Sequence, residues 1–110
     1  MDSSSRPLVA LESPYAGDVA RNITYALKAF THSLTKLNEY PIASHLLYPQ
    51  VLNDLDPGER ALGISAGLAW ALKCNYAVFY IDYGYSAGMQ AARDFYEVRG
   101  LRMYERRINV

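Results

Sequence analysis

The stretch from Tyr80 to Arg93 limits the possible folds more than any other part of the chain. It is preceded by Ala77-Val78-Phe79-Tyr80-Ile81, a short apolar run rich in β-branched and aromatic residues, which predicts a buried strand. Asp82 follows at its carboxyl end. Gly84 allows a tight backbone turn, and Ser86 is a suitable N-cap for a helix beginning near Ala87. Strand, polar turn and helix in that order form the repeating unit of an α/β fold, whose ligands sit beyond the carboxyl ends of the strands. Free N–H groups at a helix start attract anions. The stretch therefore predicts either a small-ligand site, with a phosphate as the expected anion, or a plain strand-to-helix turn.

The remaining chain repeats the alternation. Residues 1–6 read as a frayed tail, and residues 7–110 as a single domain. Leu8-Val9-Ala10-Leu11 is continuously apolar, as a strand covered on both faces would be. Pro14 ends it. Asp18 caps a helix over residues 18–37, in which Val19, Ile23, Ala26, Leu27, Phe30, Leu34 and Leu37 recur at helical spacing. Residues 40–44 read as a second strand, and residues 46–53 hold at most one helical turn. Asp56, Pro57 and Glu59 are N-cap, N1 and N3 of a helix running to about Lys73. Its Gly63 and Gly67 lie one turn apart, and suit either tight packing or a subunit interface. A last helix over residues 86–98 ends at Gly100, and residues 101–105 form an edge strand. The order predicts a parallel sheet of four strands with helices on both faces, in the order 2-1-3-4. Residues 13–18, 44–45 and 82–89 then surround one crevice.

Composition removes several classes. The 110 residues carry no formal net charge, so nothing favours the phosphate backbone of nucleic acid. No apolar run approaches the roughly 18 residues of a membrane span. Cys74 is the only cysteine, which leaves no intrachain disulfide and no cysteine metal cluster. A cytoplasmic protein is expected. The ten tyrosines suit a ligand pocket, a subunit contact or ordinary half-buried positions.

The crevice supplies the candidate ligand contacts Ser13, Tyr15, Gly17, Arg21, His45, Ser86, Gly88 and Met89. Arg21 either meets a ligand phosphate or pairs with Asp18 or Asp82. Asp82 and Glu12, each at a strand end, are the candidate catalytic carboxylates. Their alternative roles are capping a turn and facing solvent. No dinucleotide fingerprint, P-loop or Gly-x-Ser-x-Gly elbow is present. The histidines do not fall in a metal spacing; His32 is expected on a solvent-facing helix surface. No metal and no cofactor are expected.

Four segments in order carry a resemblance. They are Ser13-Pro14-Tyr15-Ala16-Gly17-Asp18 with Arg21-Asn22 and Tyr25-Ala26; residues 41–50; residues 54–60; and Gly84-Tyr85-Ser86-Ala87-Gly88-Met89. Together the chain resembles the nucleoside 2-deoxyribosyltransferase-like superfamily, and within it the small phage and bacterial DUF4406/DUF7768-type domains. The resemblance implies a flavodoxin-like (Rossmann-like) three-layer sandwich, a homodimer or higher homo-oligomer, and a nucleoside or nucleotide ligand. It also implies a glutamate that attacks the anomeric carbon of a deoxyribosyl group, four residues after the glycine matching Gly88. That position is Ala92 here, and alanine carries no nucleophile. Three readings follow. One is a nucleotide-binding protein without that catalysis, whose phage-style role is to sequester a nucleotide or act on a host protein in the host cytoplasm. The second is an N-glycosidase or 2-deoxyribosyltransferase, using Asp82 or Glu12 on a deoxynucleoside monophosphate. The third is a protein–protein interaction module.

Overall fold

The computed structural model describes residues 6–110, so most of the expected tail lies outside the described residues. Its four strands are β1 (Leu8–Glu12), β2 (Tyr40–Ile42), β3 (Tyr76–Tyr80) and β4 (Met103–Arg106). All neighbours are parallel, in the order β2-β1-β3-β4. That is the order the alternation of elements predicts. The helices are α1 (Val19–Thr31), α2 (Ser44–Leu47), α3 (Pro57–Ala71) and α4 (Ala87–Val98).

Side-chain alternation along the strands divides the core in two. Val9, Leu11, Val78 and Tyr80 face α1, where they meet Tyr25 and Ala29. Ala10, Ala77, Phe79 and Ile81 face the other way, onto Ala71 of α3 and Met89, Ala92 and Tyr96 of α4. Both faces of the central strands are thus covered, which explains why β1 and β3 read as unbroken apolar runs. The result is a three-layer sandwich.

Local rules set the boundaries. Asp18 caps α1 by accepting from Arg21 N at 3.1 Å, and Asp56 caps α3 by accepting from Gly58 N and Glu59 N. Glu59, at N3, does not return a bond to the Asp56 N–H as in a capping box; that N–H donates to the Asn53 carbonyl. Glu59 instead accepts from Asn53 N, tying down the preceding loop. Gly100 closes α4 at φ +73°, a conformation that strains a side-chain-bearing residue.

Two departures concern polar residues. The long helix expected over residues 18–37 changes at its end into a π-helical turn, His32–Lys36. That turn directs His32 inward, where its Nδ1 meets Tyr80 Oη at 2.8 Å; His32 does not face solvent. Ser33 is buried beside it and donates to Glu39 at 2.7 Å. Glu39 is only 2% exposed. Residues 40–44, expected as one strand, divide after Ile42, and Ser44 opens α2, which runs into a 3-10 turn, Tyr48–Gln50. That pair of short elements lies on the glycine face of α3. A Cβ on Gly67 would collide with the Ser44 side chain, and one on Gly63 would press on Leu52 and Tyr48. No helix among the described residues is long and apolar enough to cross a membrane.

Candidate functional site

A cavity of about 350 Å³ opens at the carboxyl edge of the sheet, between β1, α2, α3 and α4. The crevice falls where the strand order reverses between β1 and β3, the usual ligand position in an open α/β sheet. Residues 13–16 form one side, Ser44 and His45 a second, and the start of α4 a third. Gly63, Ile64 and Gly67 of α3 contribute a wall.

Each side is held by identifiable bonds. Asn22, 1% exposed in the first turns of α1, donates through Nδ2 to the carbonyls of Tyr15 and Ala16, both at 3.0 Å. This fixes the loop after β1. Ser13 Oγ and His45 Nε2 lie 2.7 Å apart and share a hydrogen, joining that loop to α2. Burial depresses the His45 imidazole to about 4, so it is neutral near pH 7. At the third side Ser86 caps α4, its Oγ accepting from Met89 N at 3.1 Å.

Glu12 stands at the end of β1 on the α4 side of the sheet. Tyr96 Oη donates to its Oε2 at 2.5 Å. Burial pushes the Glu12 carboxyl up to about 7, against a smaller opposing effect of the Tyr96 bond. Glu12 therefore exchanges its proton near neutral pH while lining a cavity, the condition expected of an acid–base group. The Tyr96 hydroxyl is pushed up in turn by burial and by Glu12, and stays protonated.

Of the residues singled out from sequence, Glu12, Ser13, Tyr15, His45, Ser86, Gly88 and Met89 come together at this cavity. Asp82, Arg21 and Gly17 do not. Asp82 faces α1 and accepts from Tyr25 Oη at 2.5 Å and from the backbone N–H groups of Ile108 and Asn109. Burial raises its pKa, but these bonds outweigh it and hold the carboxyl below its usual range. Its role is to clamp the chain after β4. The cause is strand alternation: Tyr80 and Asp82 point to one face of the sheet, Phe79 and Ile81 to the other, where Glu12 lies. Arg21 lies over the Tyr83 ring, 4.1 Å from its centroid, and donates to Asn22. It lines a separate shallow hollow with Tyr25, Lys28 and Tyr83. Gly17 is an exposed turn residue with φ +95°.

Tyr96 is the member that sequence reasoning missed. It lies one helical turn beyond Ala92, which also lines the cavity, so the i, i+4 rule pointed to it. At Ala92 no carboxylate reaches the cavity from the helix. Glu12 supplies one from the strand, and Tyr96 supplies its hydrogen-bond partner from the helix.

The sequence matches the model of a family described as Domain of unknown function (DUF7768), over residues 7–106. Neither the curated proteins nor the solved structures hold a match to it.

Proposed function

This chain belongs to the DUF7768 family, and we propose that it binds a nucleoside or nucleotide in the cavity between β1 and α4. The observation that carries the reading is the meeting of three segments remote in sequence, residues 13–16, 44–45 and 86–89, around one hollow at the carboxyl edge of the sheet. The hollow is within the range of small-ligand sites, roughly 300–1,000 Å³. Tyr15, Tyr48 and Phe95 on its walls offer flat surface for a heterocycle, and Ser13, His45 and Glu12 offer hydrogen bonds for sugar hydroxyls. Those segments resemble the nucleoside 2-deoxyribosyltransferase-like superfamily, which supports this choice of ligand. A homo-oligomer belongs to the same proposal; the exposed Leu62 and Trp70 of α3, with the exposed Leu72 at its C-cap, support it. A role in sequestering a nucleotide rests on the likeness alone. The test is a thermal-shift panel of ribo- and deoxyribonucleosides and their 5′-phosphates. At least one should raise Tm in a concentration-dependent way; a flat panel overturns the reading.

A second reading, a deoxynucleoside N-glycosidase, is favoured by one observation: Glu12 reaches the cavity with its proton in balance and Tyr96 beside it. In this reading the Glu12 carboxylate attacks the anomeric carbon as the C–N bond breaks, the base leaves and takes up a proton, and water then releases the sugar. Chromatography of the same incubations distinguishes the two readings. Free base means turnover; a shift without base means binding only. The variant Ala92→Glu restores a carboxylate on the helix. We expect it to create or raise base release, and an unchanged rate would count against assigning Ala92 to that position.

A further inference from the structure

The charges around the cavity narrow the class of ligand. Besides tyrosines, its ionisable lining residues are Glu12, His45, Asp54, Glu59 and Arg60. His45 is neutral near pH 7. Three carboxyl groups therefore face one guanidinium, and that guanidinium stands at the rim, 3.8 Å from Asp54. Arg21, the cation that could have met a phosphate, is on Tyr83 and outside the cavity. The Ser86 hydroxyl is committed to capping α4. What remains for an anion is the amide start of α4, equivalent to about half a positive charge, with the Glu12 carboxyl in the same hollow. A phosphate dianion placed there would lack the charge-assisted partners that ordinarily hold one.

We infer that Glu12 sets the charge selectivity of this cavity, so that it admits an uncharged, hydroxyl-bearing ligand such as a nucleoside and rejects the phosphorylated counterpart. The inference rests on the nucleoside-or-nucleotide reading and narrows it. Glu12 is half-buried at the end of β1 in this hollow, where solvent screens its field less than at the exposed surface. It lines the same hollow as the Ser13–His45 pair, and together they form a set of acceptors and shared hydrogens suited to sugar hydroxyls and the edge of a base. Repulsion between like charges in a partly buried site is a device of specificity as much as attraction is.

Isothermal titration calorimetry near pH 8, where Glu12 is ionised, tests this with deoxyadenosine, deoxycytidine, deoxyguanosine and thymidine, each against its 5′-monophosphate. For any base that binds, the nucleoside should bind at least about tenfold more tightly than the monophosphate. In Glu12→Gln that ratio should shrink severalfold, chiefly through tighter monophosphate binding. Salt gives a second readout on the unaltered protein. Monophosphate affinity should rise as salt screens the repulsion, whereas an attractive phosphate site loses affinity in salt. A monophosphate that binds as tightly as its nucleoside, or weakens with salt, overturns the inference and leaves the binding reading standing. A ratio unchanged in Glu12→Gln removes Glu12 from the role. If neither class binds with any base, the nucleoside reading itself falls, and the inference with it.

Discussion

At the scale of single residues, two half-buried titrating groups set the character of the cavity. Glu12 keeps its proton up to about 7 instead of the usual 4.5, because burial disfavours its charged form. A raised folded-state pKa means that the fold binds this proton more tightly than the unfolded chain does. Stability is therefore fullest below 4.5 and declines as the pH rises to about 7. Glu12→Gln abolishes that decline. Relative to wild type, the variant should gain roughly 3 kcal/mol between acidic solution and about pH 8; thermal melts across that range check it, and parallel curves refute it. His45 acts with the opposite sign. Its pKa falls from 6.5 to about 4 on folding, so the unfolded chain takes up the proton first and stability is lost as the pH drops through that window. His45→Gln should flatten the acid side of the same profile. In the folded protein both side chains are neutral between about pH 4 and about pH 7, and this part of the cavity wall then carries no charge.

At the scale of elements, what the sequence disclosed and what it concealed follow from periodicity. Runs such as Leu8 to Leu11 and Ala77 to Ile81, and the helical spacing from Val19 to Leu34, identify strands and helices because burial repeats with the backbone. The order 2-1-3-4 follows from their alternation. The separation of Asp82 from Glu12 needed the register of β1 on β3 as well: Glu12 stands opposite Phe79, and Asp82 is three residues beyond Phe79, on the other face. What could not be read was the π-helical turn that turns His32 and Ser33 inward, since their partners, Tyr80 for His32 and Glu39 for Ser33, come from elsewhere in the fold and leave no local pattern. The pairing of Glu12 with Tyr96, 84 positions apart, is likewise a property of the assembled fold. Glycines in α3 were legible as small, but their partner was not. Alanine at an ordinary helical glycine stabilises by up to about 1 kcal/mol. At Gly67 the sign should reverse, because the new methyl would lie 2.9 Å from Ser44 Cβ. Overpacking there should cost about 1–3 kcal/mol. Gly63→Ala should cost less, its nearest contact being the flexible end of Leu52 at 3.3 Å. Denaturant midpoints for the two variants give the comparison, and equal effects would mean that α2 does not press on α3.

At the scale of the whole molecule, the sheet separates two polar systems with opposite tasks. On the α3–α4 side an incompletely filled hollow leaves Glu12 and His45 facing open space. On the α1 side the polar groups are closed on one another. Arg106 makes a two-pronged contact with Glu39, at 2.8 and 2.6 Å. Ser33 and Tyr76 also donate to Glu39, and Arg106 donates to Tyr80, which reaches His32. Burial alone would raise the Glu39 pKa, but Arg106, Tyr76 and Ser33 together hold it below the usual range. The network ties β4, β3, the start of β2 and the end of α1 together, so it joins both edges of the sheet through one ion pair. Removing one partner of a buried pair leaves the other charge stranded, which typically costs 3–5 kcal/mol, whereas removing both can be nearly neutral. Arg106→Met should accordingly lower the unfolding free energy by about 3–5 kcal/mol. Arg106→Met with Glu39→Leu should recover much of that loss. Denaturant unfolding of both variants decides the matter: a single variant within about 1 kcal/mol of wild type would place the pair with weakly coupled surface ion pairs. Ligand affinity, measured on the folded fraction, should be unchanged in either variant, because no residue of this network lines the cavity.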